Sequence, residues 1–219
     1  MRVLKWIGLV LGSLILIAVL YAFQPWVFLP HQKIQISLPF ALEDDINTSL
    51  IPMGETIEHN ASNGTPDGHP GIDFGWDQET NVIAVADGRI MRVYKNQDNQ
   101  FAVEERLGLF YKTIYQELNK LDPAIKPFAK VKKGQVIGQT GFNRSVYGSE
   151  RPPKGGPSAQ LHWDFASSSM IIDRLCPVTY FDAESRARIE KIWARVPANN
   201  QFKIKFPKIC NGLFDGKEE

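Results

Sequence analysis

A histidine and an aspartate four residues apart in the stretch "GHPGID", residues 68–73, are the first side chains that could share a chemical task. On a helix this spacing puts both on one face, but Pro70 and Gly71 are poor helix formers. On a straight strand His69 and Asp73 also share a face, yet they lie roughly 13 Å apart at about 3.3 Å per residue. A turn at Pro70 and Gly71 would let them meet, which matters if the two side chains hold one metal ion.

Two later segments, both predicted as strands, add polar side chains of the same kind. In "AQLHWDF", alternation places Gln160, His162 and Asp164 on one face and the apolar residues on the other. In "YKTIYQEL", it places Tyr115 and Glu117 together on a polar face. With the first pair, these strands supply the imidazole and carboxylate ligands that suit zinc, whose catalytic sites keep three protein ligands and one open position. Spacing alone leaves ordinary surface or core histidines as an open alternative.

The overall composition describes a globular chain without a nucleic-acid partner. The 219 residues are 43% hydrophobic and 22% charged, and the formal net charge is +1. That is enough for one domain with a sizeable core, or for a domain with appendages. Lysines and arginines are spread along the chain, without the basic cluster and interleaved aromatic residues of a nucleic-acid surface.

The N-terminus predicts a membrane anchor. Arg2 and Lys5 precede the uncharged run "WIGLVLGSLILIAVLYAF", residues 6–23, which as a helix spans about 27 Å, close to the roughly 30 Å of a hydrocarbon core. The positive charges place the short N-terminus in the cytoplasm and residues 30–219 outside. A cleaved signal peptide is the alternative. In either case the rest of the chain is exported. With the anchor retained, we expect a single-pass protein of the inner or plasma membrane, with the domain on the extracytoplasmic side, periplasmic or extracellular.

The two cysteines, Cys176 and Cys210, fit an exported chain. An even count in that compartment predicts a disulfide, with two buried thiols as the alternative.

The centre of the chain, from Gly71 to about Phe165, is predicted to be β-structure. "NVIAVADGRIMRVYKN" holds two short strands around Asp87-Gly88, a turn pair favoured in hairpins. "FAVEERLGLFYKTIYQEL" predicts a second hairpin with its turn near Leu107 and Gly108. The fold class is therefore mainly β, an antiparallel β-sheet domain with small helical additions.

The flanking segments carry weaker patterns. A short strand is predicted near Ile34–Leu38, and residues 41–68 are predicted to be an irregular lead-in. "DAESRARIEKIWARV" predicts a helix with Asp182 as its N-cap, and the tail "NNQFKIKFPKICNGLF" predicts one more short strand.

Four sequence blocks resemble those of the lysostaphin-type (LytM-like) zinc metallopeptidases. "HPGIDFGWDQETNVIAVADGRI" is similar to the opening H-x-G-x-D and V-x-A-x-x-x-G pattern, and "TIYQEL" to the T-x-Y-x-H-L segment. "VKKGQVIGQTG" resembles V-x-x-G-Q-x-I-G-x-x-G, and "AQLHWDF" lies where that family has H-L-H-F-E. The blocks occur in family order over residues 69–165. The resemblance implies a compact, mostly antiparallel β-sheet domain.

The resemblance also implies a metal site and an activity. By position, the zinc ligands are His69, Asp73 and His162, and Pro70 and Gly71 bend the chain so that the first two can bind the same ion. The implied protein is a membrane-anchored zinc metalloendopeptidase whose substrate is a peptide cross-bridge or stem of peptidoglycan.

Two departures from the family pattern bear on catalysis. Glu117 and Gln160 stand where the family has histidines beside the metal. Glu117 is a suitable general base for a zinc peptidase, or a fourth ligand that would close the site. Gln160 has no titratable proton, but it or Tyr115 could donate a hydrogen bond to a developing oxyanion.

These departures leave two other functions open. One is a catalytically inactive, peptidase-like domain that binds cell wall or regulates another hydrolase, using the long loop at residues 143–158. The other is a domain that zinc stabilises structurally. The oligomeric state and the bond cleaved are not determined by the sequence. The predicted division is residues 1–5 cytoplasmic, 6–23 anchor, 24–68 linker and lead-in, 69–181 metallopeptidase-like β domain, and 182–219 C-terminal helix and tail.

Overall fold

A computed structural model describes residues 2–23, 34–41, 49–54, 69–96, 99–141, 159–168, 174–200, 203–204 and 208–211. The loop at 143–158 and much of the tail predicted as a strand lie outside these residues. The described elements are α1 Arg2–Phe23, β1 Ser49–Ile51, β2 Ile72–Trp76, β3 Asn81–Ile83, β4 Gly88–Lys95, β5 Phe101–Leu107, β6 Tyr111–Leu121, β7 Lys130–Val131, β8 Val136–Thr140, β9 Ala159–Ser167, a 3₁₀ turn Pro177–Tyr180 and α2 Ala183–Arg195.

The strands form one antiparallel sheet, so the predicted fold class is confirmed. In the described part of the chain the strand order is β1-β2-β9-β6-β5-β4-β7, while β8 pairs with both β3 and β6. Strands β5 and β6 form the hairpin predicted near Leu107. Strand β2 is paired directly with β9 in this sheet. In the sequence, the end of β2 and the start of β9 are 83 residues apart.

The predicted hairpin around Asp87-Gly88 is wrong. Strand β3 pairs with β8, and β4 pairs with β5 and β7. Three of the four residues between β3 and β4 are buried, because Ala84, Val85 and Ala86 form an apolar run that enters the core. Asp87, the fourth, is exposed. The backbone N–H of Val85 there donates to the Tyr115 hydroxyl at 3.0 Å.

The predicted strand near Ile34–Leu38 is also wrong, although this segment is part of the core. Its residues Ile36, Leu38 and Phe40 are at most 1% exposed. Three consecutive backbone N–H groups donate to three different parts of the chain, so the segment forms no continuous hydrogen-bond ladder with a neighbouring strand. The acceptors are Tyr180 O for Ile36, Val85 O for Ser37 and Ser185 Oγ for Leu38.

Strand β1 lies within the stretch predicted to be irregular. Its residue Ile51 is directly opposite Asp73 of β2 in the register. Helix α2 is confirmed with its cap, because the Asp182 carboxylate accepts the Ser185 N–H at 2.8 Å.

The N-terminal segment is helical over Arg2–Phe23. Among the helices that the structure describes, none combines the length and apolar character needed to cross a membrane, contrary to the anchor predicted at residues 6–23.

The predicted disulfide between Cys176 and Cys210 is confirmed. It fastens the described end of the chain to the β domain. Beside it, Met53 N donates to Ile209 O at 2.8 Å and Asn211 N donates to Met53 O at 3.0 Å. The C-terminal segment therefore supports the chain stretch that follows β1.

Replacing both cysteines by serine is expected to lower the free energy of unfolding by about 3–4 kcal/mol, since the bridge closes a loop of 34 residues in the unfolded chain. Urea denaturation of the oxidised protein and of the double variant measures the difference. Wild-type protein kept under reducing conditions is the control, and it should unfold at the midpoint of the variant. Coincident curves for the oxidised protein and the variant would contradict a stabilising bridge.

A candidate metal centre

The chain bends between His69 and Asp73, as the proline and glycine predict. His69 forms an isolated bridge with Gly54, and the strand β2 begins only at Ile72. At Gly71 a Cβ atom would lie 2.5 Å from the Trp163 carbonyl oxygen and 3.0 Å from His162 Nε2. Only glycine allows the bend to approach β9 this closely.

Three side chains converge at this bend. Asp73 Oδ1 lies 3.0 Å from His69 Nε2 and 2.7 Å from His162 Nδ1. The two ring nitrogens lie 3.1 Å from each other. Asp73 and His162 are directly opposed in the register of β2 and β9, so sheet pairing itself places them together. The three donor atoms form a group with the composition of a three-ligand zinc site.

The orientation of His69 suits metal binding. Its Nδ1 lies 2.9 Å from the carbonyl oxygen of Pro52, and the imidazole is fully buried. A carbonyl can only accept, so Nδ1 carries the hydrogen and Nε2 keeps its lone pair toward Asp73. Nothing in the sequence pointed to Pro52, because its contribution is a backbone atom.

The charges of the group also fit a cation. Burial raises the pKa of Asp73, but the nearby His69 and His162 lower it more, so the pKa of this carboxyl lies well below its usual range. Burial lowers the pKa of His162, but the carboxylates of Asp164 and Asp73 outweigh burial and raise the pKa well above that of an ordinary histidine. A proton on His162 thus neutralises acidic groups at the position that a metal cation can occupy. The donor set and its charge both fit zinc.

Gln160 contacts the same carboxylate from its other side. Its amide Nε2 donates to Asp73 Oδ2 at 3.0 Å. The side chain predicted to stabilise an oxyanion therefore holds the outer oxygen of Asp73, leaving Oδ1 directed at the two imidazoles.

Tyr115 is not brought to the site, and its predicted face is wrong. It is opposite Trp163 in the register of β6 and β9, so it points into the core with that tryptophan. Its hydroxyl donates to Glu105 Oε2 at 2.7 Å. The residue of β6 on the same face as His162 is Gln116, which is its direct partner in the register.

Glu117 lies where β6 becomes irregular. Its φ is +66°, and it falls between the regular pairing of β6 with β9 and the pairing of β6 with β8. Its carbonyl accepts the Gly141 N–H at 2.7 Å, and the Gly141 carbonyl accepts the Gln160 N–H at 2.9 Å. The backbone of Glu117 is therefore linked through Gly141 to the strand that carries His162. Among the described residues, the group of converging donors does not include Glu117.

Three residues behind His162 were not assigned a role from the sequence. Asp164 Oδ1 lies 3.4 Å from His162 Nε2, and Arg174 Nη1 lies 3.1 Å from the same oxygen. Gln116 Nε2 donates to Asp164 Oδ2 at 3.0 Å. Alternation had placed Asp164 on the face of His162, but no pattern in the sequence identified Gln116 or Arg174.

The fold and the site together define an antiparallel β domain with a preformed group of candidate metal ligands. Residues 67–173 match the model of peptidase family M23.

Several solved structures are similar to this chain. The chain resembles a structure of the SpoIIQ–SpoIIIAH pore-forming complex with a TM-score of 0.50 and 18% identity, over 73% of this chain and 98% of that one. It is similar to Helicobacter pylori Csd3 with a TM-score of 0.47 and 16% identity, over 80% and 44% of the two chains. The catalytic domain of lysostaphin from Staphylococcus simulans gives a TM-score of 0.41 and 21% identity, over 59% and 85%. At 18% identity, the likeness to the structure of the SpoIIQ–SpoIIIAH complex concerns the fold alone.

Proposed function

We propose that this protein is a zinc metallopeptidase that hydrolyses peptide bonds of peptidoglycan in the cell envelope. The observation that carries the proposal is the convergence of His69, Asp73 and His162 on one point, inside a domain of a peptidase family. The bend and the distant strand bring together two imidazole nitrogens and one carboxylate oxygen. This set of atoms is suited to binding a metal ion.

Each of the three converging residues would contribute one ligand atom to the metal ion. His69 binds through Nε2, His162 through Nδ1 and Asp73 through Oδ1. A zinc ion held by these residues would supply Lewis-acid polarisation of the scissile carbonyl and activation of water. Gln160 keeps Asp73 in place by its hydrogen bond to the outer oxygen.

Glu117 is proposed as the general base. A carboxylate serves this role in other zinc peptidases. The backbone link from Glu117 through Gly141 to Gln160 supports the assignment, because it places Glu117 two hydrogen bonds from the strand of the ligands. Its positive φ marks an interruption of the regular alternation of β6 at this residue.

The extracytoplasmic side of the cell membrane is the proposed location. The disulfide between Cys176 and Cys210 supports it, because such bonds persist in oxidising compartments and are rare in the cytosol. Peptidoglycan is found in the same compartment.

The test is the release of soluble peptide fragments from cross-linked peptidoglycan by the purified protein. Hydrolysis is expected with zinc, to stop when a chelator removes the metal, and to return when zinc is added back. His162→Ala should be inactive under all three conditions, whereas Asp77→Ala, an exposed residue just beyond β2, should behave as the wild type. Equal rates with and without chelator, or no release with any metal, would refute a metallopeptidase.

A second candidate function is a non-hydrolytic domain that binds cell wall or regulates another hydrolase. The observation that favours it is the bond between Gln160 and Asp73, since a family histidine position is here used to hold a ligand. Such a protein should sediment with insoluble peptidoglycan without releasing fragments, and Asp73→Ala should sediment equally well. An enzyme should lose its cellular effect with that substitution, whereas a regulator should keep it.

A further inference from the structure

Asp164 is a buried carboxylate with a set of partners that the proposed reaction does not use. The residue is fully buried in β9. Its Oδ1 faces His162 Nε2 at 3.4 Å and Arg174 Nη1 at 3.1 Å, and its Oδ2 accepts from Gln116 Nε2 at 3.0 Å. A buried carboxylate costs free energy unless it is paired with opposite charge or hydrogen-bonded. The groups around Asp164 offset that cost.

The two imidazoles of the metal centre need opposite tautomers. His69 turns Nε2 toward Asp73, and the Pro52 carbonyl fixes the hydrogen on Nδ1. His162 turns Nδ1 toward Asp73 at 2.7 Å, so its hydrogen must be on Nε2 if Nδ1 is to offer a lone pair to a cation. Asp164 is the carboxylate that faces Nε2.

We propose that Asp164 is a positioning residue of the metal centre: it holds His162 in the Nε2–H tautomer and so directs Nδ1 to the metal. This inference rests on the metal site of the proposed function. Asp164 does not touch the metal or the substrate. It acts through His162, as carboxylates behind metal-binding histidines do by fixing the ring and raising its basicity.

Neighbouring elements hold Asp164 in turn. Gln116 is the direct partner of His162 in the register of β6 and β9, which places its amide beside the carboxylate. Arg174 comes from the segment after β9 and is bridged to Ala166. Its positive charge lies 3.1 Å from Oδ1 and offsets the buried carboxylate, so that Asp164 can stay charged opposite His162 Nε2.

The experiment measures zinc affinity and the tautomer of His162 in the full chain. Zinc affinity is obtained by competition with a chromogenic chelator. The tautomer is obtained from ¹⁵N chemical shifts of the histidine side chains in metal-free protein, recorded at alkaline pH where His162 has lost its second proton, because the neighbouring carboxylates raise the pKa of this histidine. Asp164→Ala is expected to lose roughly 10–100-fold in zinc affinity and to lose the single Nε2–H form. Asp164→Asn keeps one acceptor oxygen and should recover most of both. Asp87→Asn is the matched control, since it removes an equally negative but exposed carboxylate that pairs with Lys132.

The outcomes separate this inference from the proposed function. If the wild type binds zinc and Asp164→Ala binds it as tightly with an unchanged tautomer, the role of Asp164 is overturned and the metal site stands. If the wild type binds no zinc, the metal site fails, and the ¹⁵N shifts still decide whether Asp164 fixes the tautomer. Should the alanine variant not fold, Arg174→Gln tests the same contact, with a several-fold loss of zinc affinity expected and an unchanged affinity contradicting the proposal.

Discussion

Replacing Asp73 by alanine is expected to abolish zinc binding and, with it, any hydrolysis of peptidoglycan. Its Oδ1 is the atom that both imidazoles approach, at 3.0 Å for His69 Nε2 and 2.7 Å for His162 Nδ1. Without it the site keeps two ligands and loses its negative charge, so the loss in affinity should exceed the roughly 10–100-fold that removal of an outer partner costs. Metal content after dialysis and chelator competition measure the effect.

Two controls make this result specific. Asp77→Ala removes an exposed carboxylate four residues further along and should leave the metal content unchanged. Urea denaturation of metal-free wild type and Asp73→Ala shows whether the variant is folded. A folded Asp73→Ala protein that retains one zinc per chain at wild-type affinity would show that the three converging side chains are not the metal site.

The second large effect concerns stability and pH, and it arises from Glu105 in the core. This residue is fully buried, and only its Oε2 has a hydrogen-bond partner among the described residues, the Tyr115 hydroxyl. Burial raises the pKa of Glu105 to about 8 from 4.5, against the lowering effect of the Tyr115 hydrogen bond. The folded protein therefore holds a proton that the unfolded chain releases at lower pH.

The sign of the pH dependence follows directly. The stability that protonated Glu105 contributes is fully present below pH 4.5 and is lost as the pH rises toward about 8. The loss amounts to as much as about 5 kcal/mol, since one pKa unit corresponds to about 1.4 kcal/mol. Glu105→Gln cannot ionise and still accepts the Tyr115 hydrogen bond, so its stability should change far less over this range. Urea denaturation at pH 5 and pH 8.5 measures both slopes.

A second neutral variant distinguishes ionisation from hydrogen bonding. Glu105→Leu should also remove the pH-dependent loss, but it should be less stable than Glu105→Gln at every pH, because the Tyr115 hydroxyl loses its acceptor. If Glu105→Gln kept the wild-type loss of stability between pH 5 and pH 8.5, then ionisation of Glu105 would not be its cause.

The sequence predicts the three candidate metal ligands more securely than the other candidate site residues. His69, Asp73 and His162 were predicted from their types and from a resemblance, and the structure brings them together. Tyr115 was misplaced because the prediction aligned two polar rows without knowing how the strands pair. Once β6 lies beside β9, Tyr115 must share the buried face of Trp163 and Gln116 the face of His162. A shift of one residue in register exchanges the two faces of a strand.

What the sequence determined by itself is local: a proline and a glycine that bend the chain, side-chain types that can bind a cation, and a helix with its own N-cap. The tertiary structure alone decided which nitrogen of each imidazole faces Asp73. The Pro52 carbonyl reaches His69 from the segment after β1, and the pairing of β2 with β9 turns His162 Nδ1 toward Asp73. It also decided that Gln160 holds Asp73, through the pairing of β2 with β9. These choices depend on strand register and on backbone carbonyls, and neither is encoded in the identity of a single residue or its near neighbours.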